Sequence, residues 1–131
     1  MKKKPVIRWL FALAALYDGA LGVAFLFAAG PIYRLFGVPE PNHFAYVQFP
    51  AALLVVFALM FASVATDPGG NRNLIPYGVL LKVSYAAVVI LHWLGGNMPG
   101  MWKPFALIDV AMALLFVWAY GVLGRHAGAR R

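Results

Sequence analysis

Residues 44–66 read FAYVQFPAALLVVFALMFASVAT, and these 23 residues include no Asp, Glu, Lys or Arg. At a rise of 1.5 Å per residue, an α-helix needs about 20 residues to cross a hydrocarbon core of roughly 30 Å. Strands of a membrane β-barrel are about 10 residues long and alternate apolar with polar side chains. The stretch shows no such alternation. It therefore predicts a membrane-spanning helix, whose backbone polar groups are satisfied internally.

Three other stretches have the same length and character. The four predicted spans are residues 9–30, 44–66, 74–97 and 102–123. The links between them are short, and short links place consecutive helices side by side in opposite directions. The sequence thus predicts an all-α fold, an integral membrane antiparallel four-helix bundle, with residues 1–131 as one domain. In the 31–43 link we expect a short interfacial turn formed by Ile32, Tyr33, Leu35 and Phe36 around Arg34.

The composition agrees with this prediction. Apolar residues make up 63% of the 131 residues and charged residues 11%, against roughly 45–50% and 25% in soluble domains. A soluble domain this small cannot bury so much apolar surface, and a disordered chain needs low hydrophobicity and high charge. The absence of Cys excludes disulfides, thiolate metal sites and a Cys nucleophile.

The basic residues predict the orientation. With four spans, both termini and the 67–73 link lie on one side. That side carries Lys2, Lys3, Lys4, Arg8, Arg72, Arg125, Arg130 and Arg131, whereas the other side carries Arg34 and Lys103. By the positive-inside rule, both termini face the cytoplasm from the inner (plasma) membrane, and we expect the basic ends to meet anionic lipid headgroups. No basic stripe is interleaved with exposed aromatic residues, so nucleic acid is not an expected partner.

A cleaved signal peptide is the competing interpretation of the N-terminus. The MKKK start resembles a basic n-region, and residues 12–14 resemble a cleavage site. The apolar run continues to Ala29, however, beyond the usual 7–15 residues of such a peptide. We therefore expect the first span to be retained.

Ionisable residues inside the spans are the candidates for function. From helical rise, Asp18 lies roughly 15 Å and Lys82 roughly 13 Å from the cytoplasmic edge, while Asp109 lies roughly 21 Å from it, within reach of a lysine side chain. Small residues flank all three, which places them on faces that pack against other helices. We expect the Lys82 ammonium to be neutralised by Asp18, Asp109 or both, because a charge near mid-membrane is costly. Tyr85 is assigned to the same layer, and Tyr85 and Tyr17 are near these residues in sequence.

A second polar layer is expected nearer the outer interface. Gln48 and His92 both fall at roughly 27 Å from the cytoplasmic edge. A purely structural role remains an alternative for both residues. His92 adjoins Trp93, where an aromatic belt is expected, and Gln48 is placed to bond backbone groups loosened by Pro50.

The inner layer has two open interpretations. Asp18, Lys82 and Asp109 either fix the register of the bundle or form a site for a ligand or a proton. One lysine between two aspartates leaves one surplus negative charge. A pocket open at this layer would favour ligand binding over a sealed ionic cluster.

Other chemistry is not indicated. The Gly69-Gly70 pair lacks the lysine and serine of a phosphate-binding loop. The three histidines, His43, His92 and His126, fall in different regions without ligand spacing, so we expect neither a metal nor a cofactor. Ser63 and Ser84 suggest no catalytic triad, so we expect no enzyme.

Two stretches resemble a known family. DPGGNRNLIPYGVLLK (67–82) and ALIDVAMALLFVWAY (106–120) are similar to segments of small bacterial four-helix membrane proteins, mostly uncharacterised and DoxX-like in the broad sense. The resemblance implies the four-helix plan but no shared chemistry. It marks Asp67, Pro68, Asn71, Arg72, Gly78, Lys82 and Asp109, and does not include Asp18.

Three functions are therefore considered. The first is a non-enzymatic accessory or scaffolding subunit of a membrane protein assembly, packed against other membrane proteins or against itself. The second is a binder or carrier of a small hydrophobic or protonatable ligand that uses the Asp18, Lys82 and Asp109 layer. The third, proton-coupled transport, ranks last because four helices need a partner copy to line a path.

Overall fold

The computed structural model describes residues 3–129, and the side chains of residues 3–125. It contains five α-helices: α1 (Lys4–Phe27), α2 (Ala29–Leu35), α3 (Ala45–Thr66), α4 (Ile75–Leu94) and α5 (Lys103–Ala129). Short 3₁₀ turns, Arg72–Leu74 and Gly100–Trp102, precede α4 and α5. The described chain has no β-strand. The basic side chains of Lys2, Arg130 and Arg131, and the side chain of His126, lie outside this described part.

Four of these helices are long and apolar enough to cross a membrane: α1, α3, α4 with the turn before it, and α5. The first begins at Lys4, five residues before the predicted start at Trp9, because Pro5 suits the first turn of a helix. The third of the four, α4, ends at Leu94. The last residues of the predicted 74–97 span lie after this helix, beginning with a turn.

The link after the first span is more ordered than an interfacial turn. The chain changes direction at Ala28 and continues directly as the short helix α2. Gly37, with φ +64°, follows this helix, a left-handed conformation that suits glycine at the end of a helix. Tyr33 turns inward and is buried, while Leu35 and Phe36 stay exposed.

The long helices pack mainly in two pairs, α1 with α3 and α4 with α5. Gly22 allows the first pair to approach, since a Cβ at this position would lie 2.7 Å from the Ala51 carbonyl oxygen. By comparison, the backbones of α3 and α4 approach each other less closely, and so do those of α1 and α5. Side chains still join these pairs: Phe61 lies against Gly78, and the Phe11 and Phe116 rings stack.

Two core clusters lie at opposite stretches of the helices. One joins the beginning of α1, the end of α3, the beginning of α4 and the end of α5. At its centre the rings of Phe11, Phe61 and Phe116 are 4.6–6.1 Å apart, centroid to centroid. The second cluster joins the end of α1, α2, the beginning of α3 and the turn before α5. The buried charged residues are in neither cluster.

The turn between α3 and α4 is fastened to α5. Asp67 accepts a hydrogen bond from the Gly70 amide at 3.1 Å, and Asn71 donates to the Ser63 carbonyl at 2.9 Å. Arg72 donates from Nε to the Tyr120 carbonyl at 3.0 Å, and its guanidinium lies 3.7 Å from the centroid of the Tyr120 ring. These polar residues of the 67–73 link therefore stabilise the turn and its contact with α5.

Candidate binding site

A buried lysine bonded to two aspartates marks the site. The Lys82 Nζ atom donates to both carboxylate oxygens of Asp18, at 2.8 and 2.9 Å, and to Oδ1 of Asp109 at 3.1 Å. All three side chains are buried: 1% exposed for Lys82, 2% for Asp18 and 9% for Asp109. The sequence predicted Asp18, Asp109 or both as partners of Lys82, and the structure brings all three together. We call these residues the charged triad.

The helices around the triad are placed by aromatic packing. Gly78, one turn before Lys82 on α4, has no side chain, and Phe61 occupies the space beside it; a Cβ there would lie 2.6 Å from the Phe61 ring. The Phe61 and Tyr17 rings lie 5.7 and 5.1 Å from the Lys82 Nζ atom. An ammonium beside ring faces gains cation–π attraction, so Lys82 is held in place by its surroundings as well as by its two carboxylates.

A cavity of about 370 Å³ lies next to the triad. Its wall is mostly apolar and aromatic, with Asp18 and Asp109 at one end. The volume is at the small end of the range, roughly 300–1,000 Å³, in which proteins hold small molecules. The lining residues exposed at its rim are Tyr46, Pro50 and Leu53 of α3 and Ser84 of α4. Because these exposed residues lie on α3 and α4, the cavity is open on the side of these two helices.

Two oxygen atoms at the charged end lack a hydrogen bond within the part of the chain that the structure describes. The Tyr17 hydroxyl is buried and has no partner there. Lys82 binds only Oδ1 of Asp109, and no described group donates to Oδ2. Both residues line the cavity. A buried polar atom without a partner, such as the Tyr17 hydroxyl oxygen, is unusual and needs an explanation.

Tyr85, the fourth predicted member of the inner layer, lines the same cavity. Its hydroxyl does not contact the triad. It donates instead to the Trp102 carbonyl at 3.0 Å, which joins α4 to the turn before α5. Tyr85 therefore forms part of the cavity wall, and its hydroxyl hydrogen is used in the bond to Trp102.

The outer residues Gln48 and His92 are not joined to each other. Both are exposed, and no hydrogen bond links them in the described structure. Gln48 donates to the Leu26 carbonyl at 3.4 Å, near the end of α1, where carbonyls lack partners within the helix. The sequence suggested that Gln48 bonds the backbone groups around Pro50, and in the structure it does not. Equal depth along two helices does not fix the direction in which their side chains face.

Several aromatic residues of the cavity were not predicted as site residues. Tyr33 of α2, Phe25 of α1 and Trp102 close the end of the cavity away from the triad, with ring centroids 5.4–6.5 Å apart. The sequence signal was present but indirect: Tyr33 is an aromatic residue in a link, and Trp102 begins a span. Only the fold of α2 over the helix ends shows that these rings meet.

Among residues 3–125, no group of three His, Asp or Glu side chains is placed to hold a metal ion. Comparison with protein families, with curated proteins and with solved structures finds no match for this chain. The resemblance to DoxX-like proteins therefore stays a prediction, and the functional argument rests on the geometry of the cavity.

Proposed function

We propose that this chain is a non-enzymatic, multi-pass protein of the inner (plasma) membrane that binds a small, mainly hydrophobic ligand between its helices. In this proposal the four long helices form an antiparallel bundle with both termini in the cytoplasm. The joining of the start of α1 with the end of α3 in one core cluster supports opposite helix directions. The excess of basic residues at the termini and in the 67–73 link supports the orientation.

The observation that carries the proposal is the cavity beside the charged triad. An ionic cluster that only fixed helix register would be best sealed, with every oxygen bonded, because unsatisfied buried polar atoms cost free energy. Here a mostly apolar cavity reaches the triad and leaves Oδ2 of Asp109 available. A wall that is largely apolar with a few convergent polar groups is typical of small-molecule sites.

The opening between α3 and α4 suggests the route of entry. In a bilayer this side faces the acyl chains, so an apolar ligand reaches the cavity from the membrane without passing through water. The exposed rim residues of α3 then meet the ligand first.

The experiment is a comparison of two Leu→Trp variants of α3. Leu53 lines the cavity at its rim, whereas Leu59 is exposed on the same helix away from it. Protein purified gently from its native membrane is analysed by native mass spectrometry for bound small molecules. We expect a bound amphiphile in the wild type and in Leu59→Trp, and clearly less in Leu53→Trp, because the indole ring takes up space at the rim of the cavity. An empty wild-type protein, or equal occupancy in both variants, contradicts the proposal.

The accessory-subunit hypothesis is a second candidate. A groove on the outside of the chain, between α1 and α5, is lined by Leu13, Leu16, Ala20 and Met112. The small side chain of Ala20 allows close approach of a transmembrane helix from another membrane protein. Native purification tests it: a stable larger complex that Ala20→Trp breaks supports this function, and a monomer in mild detergent opposes it.

A further inference from the structure

The charges around the cavity do not balance. With both carboxyls ionised, Asp18 and Asp109 carry two negative charges and Lys82 one positive charge, so one negative charge is left over for a bound cation or a proton to neutralise. No Lys, Arg or His is among the residues that line the cavity. The two other acidic residues are elsewhere: Glu40 pairs with Arg34 at 3.5 Å, and Asp67 bonds its own turn. The surplus therefore belongs to the site.

The position of the surplus follows from the hydrogen bonds. The three bonds of Lys82 take both oxygens of Asp18 and one oxygen of Asp109. Oδ2 of Asp109 is the oxygen that remains, and Asp109 is also the more exposed of the two carboxylates. The negative charge is thus available at the wall of the cavity, on Asp109.

Aromatic rings surround this point. Tyr17 and Phe105 line the cavity next to Asp109, with ring centroids 6.3 Å apart, and Tyr85 lines it as well. Ring faces attract cations, and this attraction is larger where water is excluded. The Tyr17 hydroxyl is buried, so the ring of this residue, and not its oxygen, lines the cavity.

We propose that the ligand is an amphiphilic amine, whose protonated head binds Oδ2 of Asp109 beside the Tyr17 ring, and whose apolar tail lies along the wall towards Trp102. This inference rests on the proposed function and names the ligand class. Bound in this way, the ammonium completes an alternating row of charges: Asp18, Lys82, Asp109 and ligand. A neutral head leaves the surplus charge in place, and a carboxylate head adds a second one.

The test uses three probes with the same tail: decylamine, decanol and decanoic acid. Each is added to the full-length protein in mild detergent, and binding is measured by native mass spectrometry. We expect decylamine to bind about tenfold or more tightly than decanol, because hydrogen bonds to charged groups are roughly twice as strong as neutral ones. Decanoic acid is expected to bind weakest.

Two substitutions locate the preference. Asp109→Asn removes the surplus charge and keeps the shape, so it is expected to abolish the preference for the amine while decanol still binds. Tyr17→Phe removes the buried hydroxyl and keeps the ring, so it is expected to leave the preference for the amine in place. Glu40→Gln is the matched control, since it removes one negative charge from a residue that does not line the cavity, and it is expected to leave the order of the probes unchanged.

The outcomes separate the two proposals. If none of the probes binds the wild type, or if all bind Leu53→Trp equally well, the cavity is not a ligand site and the proposed function fails. If decanol binds as tightly as decylamine, or if Asp109→Asn keeps the preference for the amine, the inferred ligand class is wrong while the cavity remains a ligand site.

Discussion

Removing the lysine of the charged triad gives the sharpest test of its energetics. Lys82→Met leaves the carboxylates of Asp18 and Asp109 buried without their cation. Breaking a buried ion pair from one side destabilises a protein by about 3–5 kcal/mol. We therefore expect Lys82→Met to lower the free energy of unfolding by about this amount.

The hydrogen bonds predict which second substitution restores more stability. Lys82 makes two bonds to Asp18 and one to Asp109, and the Asp18 side chain is 2% exposed against 9% for Asp109. Asp18 therefore depends more on Lys82. Both Lys82→Met/Asp18→Asn and Lys82→Met/Asp109→Asn should be more stable than Lys82→Met alone. The first should exceed the second by about 1.5 kcal/mol, the lower value for one hydrogen bond to a charged group.

The assay is unfolding by SDS in mixed micelles, followed by helical circular dichroism. Lys103→Met is the control for loss of a lysine. Its Nζ atom lies 4.9 Å from the Trp93 ring, away from the triad, and we expect a loss of about 1 kcal/mol or less. The reasoning is refuted if neither double variant is more stable than Lys82→Met, and the assignment of Asp18 as the main partner is refuted if Asp109→Asn restores as much as Asp18→Asn.

Three other predictions concern orientation, lipid contact and packing. Reporter fusions after Arg131 should place the C-terminus in the cytoplasm, and an external reporter, or removal of the first 20 or so residues, would contradict the topology. Neutralising six terminal basic residues should weaken retention on anionic vesicles, by at most about 1 kcal/mol for each charge and less at high salt; unchanged retention would show that the charges do not bind lipid. These residues are Lys2, Lys3, Lys4, Arg125, Arg130 and Arg131. Gly78→Ala should destabilise the protein by about 1–3 kcal/mol because it displaces the Phe61 ring. Gly69→Ala is the control and should cost little, because its new side chain meets nothing within 4 Å. Equal melting temperatures of the two variants would show that the Gly78 contact is unimportant.

The long helices were predictable because a span is a local property. Length and hydropathy alone define residues 44–66, and the helix observed there, Ala45–Thr66, differs by one residue at its start. The partners of Lys82 were also predictable, because a charge in an apolar segment needs a counter-charge at similar depth, and only Asp18 and Asp109 qualify.

The cavity was not predictable, because it depends on how closely each pair of helices packs. Nothing in the pattern of α3 or α4 shows that their backbones approach each other less closely than those of α1 and α3. The position of Tyr33 also depends on the fold of α2 across the helix ends. For Gln48, depth was predictable and direction was not, since its partner is the Leu26 carbonyl on another helix.

The measurement that tests the central claim most directly is a structure of the natively purified protein in a lipid nanodisc, with its bound small molecules retained. We expect Lys82 between Asp18 and Asp109, and density for a non-protein molecule that extends from Asp109 and Tyr17 towards Trp102. A cavity closed by side chains from α3 and α4, or a Lys82 side chain that extends away from both aspartates to the lipid headgroups, would contradict it.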